Sequence, residues 1–166
     1  MNYHNITKDD MLNGEGLRVV LWTAGCTHCC DGCQNPQTWD VSGGLEFDEK
    51  ARKELFDALA PEYVSGITFS GGDPLHPFNR DEVLKIAKEV KETFKNKTVW
   101  LYTGYLWEEV KNSLDLTYVD VLLDGEFKKE LNDNNLQWVG SSNQRIIDVQ
   151  KSIKEDKVVL YQQTSP

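Results

Sequence analysis

Apolar and polar positions alternate along this chain in blocks that predict strands and helices in turn. Residues 18–23, Arg-Val-Val-Leu-Trp-Thr, form a nearly continuous apolar run, which suits a strand buried on both faces of a parallel sheet. Residues 48–60 put Ala51, Leu55, Phe56 and Leu59 on one helical stripe, and Pro61 marks its end. Gly66-Ile67-Thr68-Phe69-Ser70 reads as the next strand and runs straight into Gly71-Gly72-Asp73-Pro74. A helix over 79–94 follows, with Asn79 and Glu82 at capping-box spacing and Val83, Ala87, Val90 and Phe94 on one face. Residues 98–102 predict a third strand, 106–114 a short helix and 119–123 a fourth strand; further strand patterns lie at 145–149 and 158–161.

Strands alternating with helices define βαβ units, whose crossovers build a parallel sheet. Roughly four to six such units are too few for a closed eight-stranded barrel, which takes about 250 residues. The expected fold is therefore α/β, an incomplete and open parallel β/α barrel of the TIM-like kind. Its site should lie at the carboxyl ends of the strands. The 166 residues fit a single domain, 1–166, against a prior of about 150 residues per domain.

Composition narrows the classes of function. The apolar fraction of 39%, with five Trp, six Tyr and six Phe, supports a packed core and argues against disorder. A net charge of −9 argues against a general nucleic-acid binder, which needs a basic surface. Residues 1–10 lack the apolar core of a signal peptide, and no run approaches the length of a membrane span. The expectation is a cytoplasmic protein without a membrane partner, whose thiols stay reduced and available to iron.

All four cysteines fall within Cys26-Thr27-His28-Cys29-Cys30-Asp31-Gly32-Cys33. Cys26, Cys30 and Cys33 spell C-x3-C-x2-C, a spacing that can wrap three thiolates around one face of an iron–sulfur cube. A four-iron cluster would keep one iron open, and an open coordination position is where a metal does chemistry. A structural zinc site draws on two separated Cys-x2-Cys knuckles, whereas here Cys26/Cys29 and Cys30/Cys33 abut. A disulfide framework belongs to secreted chains, and the bacterial ferredoxin run needs spacings of two and two. Cys29 is a fourth thiol inside the loop. Neighbours on extended backbone face opposite ways, so with Cys30 turned to a cluster Cys29 is expected to face away.

Gly71-Gly72-Asp73-Pro74 admits two readings. Its glycines let backbone approach a ligand closely, with carbonyls free to receive an ammonium group and Pro74 stiffening the turn. Alternatively it is a plain strand-to-helix turn in which Asp73 forms a local cap. An open-sited cluster next to it favours the first reading. His28 either donates to a cluster sulfur or faces solvent, and His76 shapes its own turn. Ser141-Ser142-Asn143-Gln144 either lines the mouth of the site or forms a polar turn. Trp22, Trp39 and Trp100 read as core. No Ser/His/Asp arrangement suggests hydrolysis.

C-x3-C-x2-C after the first strand, with a Gly-Gly-acid turn after the second, resembles the radical S-adenosylmethionine superfamily. Further blocks narrow the resemblance: Met1-Asn2-Tyr3-His4, Asn13-Gly14-x-Gly16, Gly25-Cys26, Asp31-Gly32-Cys33 with Asn35 and Thr38-Trp39, and Ser70 through Pro77. Thr103-Gly104-Tyr105, Asp124-Gly125-x-Phe127 and Gly140 through Gln144 complete the set. Together they are similar to the activating proteins of anaerobic (class III) ribonucleoside-triphosphate reductases, from the first residue to about Gln144. The resemblance implies an open barrel of the radical S-adenosylmethionine type and a [4Fe-4S] cluster on Cys26, Cys30 and Cys33. It also implies S-adenosylmethionine bound to the open iron and contacted by Gly32, Cys33, Gln34, Gly71, Gly72 and Asp73, with no catalytic side chain beyond these ligands. The implied reaction is reductive cleavage to a 5′-deoxyadenosyl radical, which takes a hydrogen from a glycine of the reductase large subunit. An electron donor of the flavodoxin type is the second implied partner. A pure electron carrier gains nothing from an open iron, and an enzyme of a small metabolite needs additional chain for its pocket. The superfamily often carries an aromatic residue just before the third cysteine. Gly32 stands there in this chain, so an aromatic face for adenine must come from elsewhere.

Overall fold

The computed structural model of the chain describes residues 1–163. Its centre is a run of four parallel strands: β2 (Arg18–Thr23), β4 (Gly66–Gly71), β5 (Thr98–Tyr102) and β6 (Val121–Asp124). Helices α1 (Glu49–Leu59), α2 (Arg80–Thr93) and the short α3 (Trp107–Val110) fill the three crossovers between them. These are the βαβ units that the apolar pattern predicts. Strand β1 (Asn2–Asp10) precedes them, β3 (Leu45–Glu46) lies in the first crossover, and β7 (Arg145–Asp148) with α4 (Val149–Glu155) ends the series. The full order is β3-β1-β2-β4-β5-β6-β7, a seven-stranded mixed sheet that does not close.

Only the centre of the sheet is parallel. β1 runs antiparallel to β2, β3 antiparallel to β1, and β7 antiparallel to β6. The expectation of a wholly parallel sheet is corrected at both edges. The chain reaches β7 by a long loop rather than a helical crossover, and a strand that enters without a crossover is free to pair in reverse. Residues 158–161 contribute a single bridge, Ile147 to Leu160, rather than a strand. Helix α3 is shorter than 106–114: beyond Val110 the chain continues as turns, with the Ser113 and Leu114 amides both bonding to Val110 O at 3.2 and 3.0 Å.

Strand alternation divides the sheet into two faces. Val19, Leu21, Ile67, Phe69, Val99, Leu101, Leu122 and Ile147 point to the helix side. There they join Leu55 and Leu59 of α1 and Val83, Ile86, Ala87 and Val90 of α2 in one core cluster. Asp48 caps α1 by accepting from the Ala51 amide at 2.9 Å, a contact worth about 1 kcal/mol. The opposite face carries Trp100, Val121 and Leu123, packed with Tyr102, Trp138, Ile146 and Tyr161. Arg18 is buried at the start of β2, where its guanidinium donates to Thr68 Oγ1, Thr98 Oγ1 and the carbonyls of Glu15, Ile67 and Thr98. Burial pulls its pKa down to about 10. No helix among the described residues is long and apolar enough to cross a membrane.

Candidate metal centre

The cysteine loop leaves the carboxyl end of β2, and Gly71-Gly72-Asp73 leaves the carboxyl end of β4, its parallel neighbour. Thr23 pairs with Gly71, and two backbone bonds continue the ladder past the sheet: Gly72 N–H to Thr23 O at 2.8 Å and Asp73 N–H to Gly25 O at 2.7 Å. The loop and the turn are thereby one structural unit. A cavity of about 470 Å³ opens beside them, and Cys26, Cys30, Cys33, Gln34, Gly71 and Gly72 all contribute to its wall. Asp73 reaches the same cavity, whereas Gly32 and the exposed Cys29 are absent from its lining. The helix-free face of the sheet adds Trp22, Ser70 and Tyr102 to the wall, joined by Trp138. Trp22 therefore belongs to the pocket and not to the core.

The sulfurs differ in their surroundings. Burial pushes the Cys26 thiol up to about 11, opposed by a backbone hydrogen bond from His28. Burial also raises Cys30, whose Sγ lies 3.9 Å from Glu126 Oε2. Cys33 Sγ accepts the Asn35 amide at 3.3 Å. All four cysteines are free thiols. Three sulfurs on one pocket wall form the soft donor set that iron–sulfur clusters use, so the residues present fit that group. Cys29 sits at φ +50°, a left-handed conformation that carries its side chain out to solvent.

The two glycines of the turn serve different ends. Gly71 adopts φ +100°, which favours glycine. Gly72 has ordinary backbone but no room: a β-carbon there would lie 2.5 Å from Gly25 O and 2.8 Å from Thr38 O. Its bareness is thus demanded by the cysteine loop packed on it. Asp73 is 1% exposed and saturated. Its oxygens accept from the Leu75 amide at 2.8 Å, Thr103 Oγ1 at 2.9 and 3.1 Å, and the Gly104 amide at 3.0 Å. His28 Nε2 adds a bond of 2.7 Å to the same carboxylate. Asp73 is both the local cap of the plainer reading and a tie across three strand ends.

Other residues fall into place around this hub. Bonding to Asp73 raises the His28 pKa against the opposing effect of burial; the ring bonds to carboxylates and does not face solvent. Cys26, His28 and Asp73 hold ligand atoms within 4.8 Å of one another. A single ion there would have to break the His28–Asp73 bond, so this trio reads as a hydrogen-bonded group. His76 Nδ1 accepts the Phe78 amide at 3.1 Å and does shape its turn. Gln144 lines the pocket and also staples its loop, accepting from the Gly140 and Ser141 amides and donating to Gly125 O at 3.0 Å. Asn79 does not form the expected capping box. Its amide nitrogen reaches Ala24 O at 2.8 Å and Asp73 O at 3.2 Å, tying the end of β2 to the turn after β4.

Sequence reasoning missed Glu126 and Phe127, which follow β6. Phe127 lines the pocket and is flanked by two glycines: a β-carbon on Gly32 would lie 3.3 Å from its ring and one on Gly140 3.1 Å. The ring thus occupies the space beside the residue before the third cysteine. The block Asp124-Gly125-x-Phe127 was the only signal for it in the sequence.

A sulfur-lined pocket at the strand ends of an open α/β sheet defines an iron–sulfur protein, and residues 12–147 match the family model described as a 4Fe-4S single cluster domain. The chain is 45% identical over 146 residues to the anaerobic ribonucleoside-triphosphate reductase-activating protein of Enterobacteria phage T4, covering 88% of this chain and 93% of that one. Proteins of the same name from Haemophilus influenzae and Escherichia coli K12 are 41% and 40% identical. They cover 88% and 87% of this chain and 97% and 96% of their own lengths. The chain belongs to the family of anaerobic ribonucleoside-triphosphate reductase-activating proteins.

Proposed function

We propose that this chain is a cytoplasmic radical S-adenosylmethionine enzyme, a single open-barrel domain that activates an anaerobic ribonucleoside-triphosphate reductase by forming a glycyl radical on its large subunit. One observation carries the reading. The sulfurs of Cys26, Cys30 and Cys33 share a pocket with the Gly71-Gly72 turn, at the adjoining carboxyl ends of two parallel strands. The names of the relatives supply the target, and a flavodoxin-type protein fits as electron donor.

Cys26, Cys30 and Cys33 would hold a [4Fe-4S] cluster, leaving one iron for the amine and carboxylate of S-adenosylmethionine. Once reduced by the electron donor, the cluster would supply one electron to the S-adenosylmethionine sulfonium, the chemistry that would split its carbon–sulfur bond into methionine and a 5′-deoxyadenosyl radical able to take a hydrogen atom from the reductase glycine. The chain's own residues bind and orient. Backbone carbonyls of Gly71 and Gly72 would receive the ammonium group, because the Asp73 carboxylate is already committed to His28, Thr103 and Gly104 and its carbonyl to His76 and Asn79. Cys33 and Gln34 flank the cofactor, and Gly32 acts by making room for Phe127, whose ring gives adenine an apolar wall. Trp22, Tyr102 and Trp138 add aromatic surface to the same pocket, which would limit water near a reactive radical.

The test is anaerobic reconstitution with iron and sulfide, followed by reductive cleavage of S-adenosylmethionine with and without a matched reductase. A glycyl doublet in electron paramagnetic resonance on adding reductase supports the proposal. Vigorous cleavage that never yields the doublet, across matched reductases, would point instead to a small-molecule substrate.

A further inference from the structure

The cysteine loop contains one side chain that the spacing of its sulfurs does not explain. His28 lies between the first two ligand candidates, with 11% of its side chain exposed. Nε2 is 2.7 Å from Asp73 Oδ2, and Nδ1 is 3.4 Å from Glu126 Oε1. The ring packs edge-on against Tyr105, with centroids 4.7 Å apart at 75°. It also crowds Gly104 so closely that a β-carbon there would come within 2.6 Å of it. One imidazole, covalently part of the loop after β2, thus touches the turns after β4, β5 and β6.

Few other bonds hold the middle of this loop: the backbone of His28 bonds to the Cys26 thiol and that of Phe127 to the Cys30 thiol. Cys26 N–H bonds to Trp39 O at 3.0 Å and Cys33 N–H to Cys30 O at 3.1 Å. Among the described residues, no backbone-to-backbone bond starts from residues 27–32. Asp73, by contrast, is rigidly placed by its bonds from Leu75, Thr103 and Gly104. The loop that carries the candidate ligands is therefore fastened at its midpoint to a fixed, buried carboxylate.

We propose that His28 is a positioning residue: by bridging Asp73 and Glu126 it fixes the middle of the cysteine loop and so sets where Cys26 and Cys30 present their sulfurs. Its effect on the cluster rests on the function proposed above, whereas the clamp itself is a property of the chain alone. Groups that orient metal ligands typically change metal retention by about 10–100-fold when removed.

The full-length variants His28→Ala and His28→Gln test this, since the glutamine amide can donate to Asp73 as Nε2 does and alanine cannot. In iron-free protein, hydrogen exchange at the Cys26 and Cys33 amides should be clearly faster in His28→Ala and near wild type in His28→Gln, while β2 and β4 stay protected. In reconstituted protein, iron loss to a chelator should be about 10–100-fold faster in His28→Ala. The electron paramagnetic resonance line shape of its reduced cluster should also change, with His28→Gln restoring both. Exchange and iron loss that match wild type in His28→Ala, or a His28→Gln variant no better than His28→Ala, overturn the proposal. A wild-type protein that takes up no iron refutes the cluster reading instead, and the exchange measurement still decides the clamp.

Discussion

Gly72 and the carbonyl of Gly25 are in such close contact that a β-carbon on residue 72 would stand 2.5 Å from that oxygen. The oxygen also accepts the Asp73 amide at 2.7 Å, so it cannot retreat without breaking the joint between loop and turn. Gly72→Ala should therefore displace the cysteine loop before any ligand is met. We expect a stability cost of about 1–3 kcal/mol from overpacking. Cluster retention should fall about tenfold or more, as when groups that orient ligands are disturbed. Iron stoichiometry after anaerobic reconstitution checks this, and a variant with full iron content and weakened S-adenosylmethionine binding would show that the glycine serves the ligand instead.

Cys29 and Cys26 should separate cleanly in their chemistry. Cys29 is exposed and off the pocket wall, while burial holds the Cys26 thiol at about 11. At pH 8 a thiol at that value is ionised to about one part in a thousand, against about one in four for an ordinary cysteine, and the thiolate is the form that reacts. Iodoacetamide should label Cys29 first and Cys26 last in iron-free protein, with Cys26 labelling climbing as pH approaches 11. Cys29→Ser should keep the cluster, whereas serine at Cys26, Cys30 or Cys33 should abolish it. Peptide mapping of the labelled chain and iron content of the four variants decide the assignment.

Phe127 fills the space between Gly32 and Gly140. Replacing it with alanine removes an aromatic wall from the pocket, and an aromatic contact of that kind is worth about 0.5–1.5 kcal/mol. The dissociation constant for S-adenosylmethionine should rise about 3–10-fold in Phe127→Ala with iron content unchanged. Calorimetric titration of reconstituted protein measures it, and an unaltered constant would remove Phe127 from the binding wall.

Arg145 neutralises a carboxylate that has no access to water. Asp124 is completely buried at the end of β6, and the guanidinium of Arg145, from β7, meets it at 3.1 and 2.6 Å. Breaking a buried pair by removing one partner costs about 3–5 kcal/mol, and the lower end applies because Arg145 is itself 31% exposed. Arg145→Gln should lower the melting temperature by about 6–12 °C for a chain of this length. Adding Asp124→Asn should recover part of that loss, and two losses that simply add would show the pair to be uncoupled.

The strands at the centre of the sheet were legible because they are apolar on both faces, as Val19, Val20 and Leu21 are in β2. β1 was not, although it is the longest strand. Only Tyr3 and Ile6 of its nine residues are buried, and irregular register between Tyr3 and Asn5 and between Thr7 and Asp10 breaks the period of two. The direction of β7 was equally hidden, since alternation is the same in either sense. At the site, the three cysteines proposed as ligands stood out because they are local in sequence. The His28–Asp73 bond spans 45 residues, and nothing in either neighbourhood announces the other. Asn79 misled for the opposite reason: a capping signature was present nearby, but burial beside Ala24 offered its amide a better acceptor.

The reversed strands that flank the parallel centre have a meaning for how such a chain can grow. Each βα unit extends a sheet only by laying its new strand parallel to the last, and here β1 and β7 break that rule on either flank. A further unit spliced in after β7 would inherit a strand pointing the wrong way, with its connecting loop arriving at the end opposite the sulfurs, while on the other flank β1 is already covered by β3. Additions could still come as loops inside the existing connections, such as the long passage from β6 to β7 that already carries Phe127 and Gln144. Diversity among proteins of this architecture should therefore concentrate in the lengths of those inner loops, with the strand count held constant.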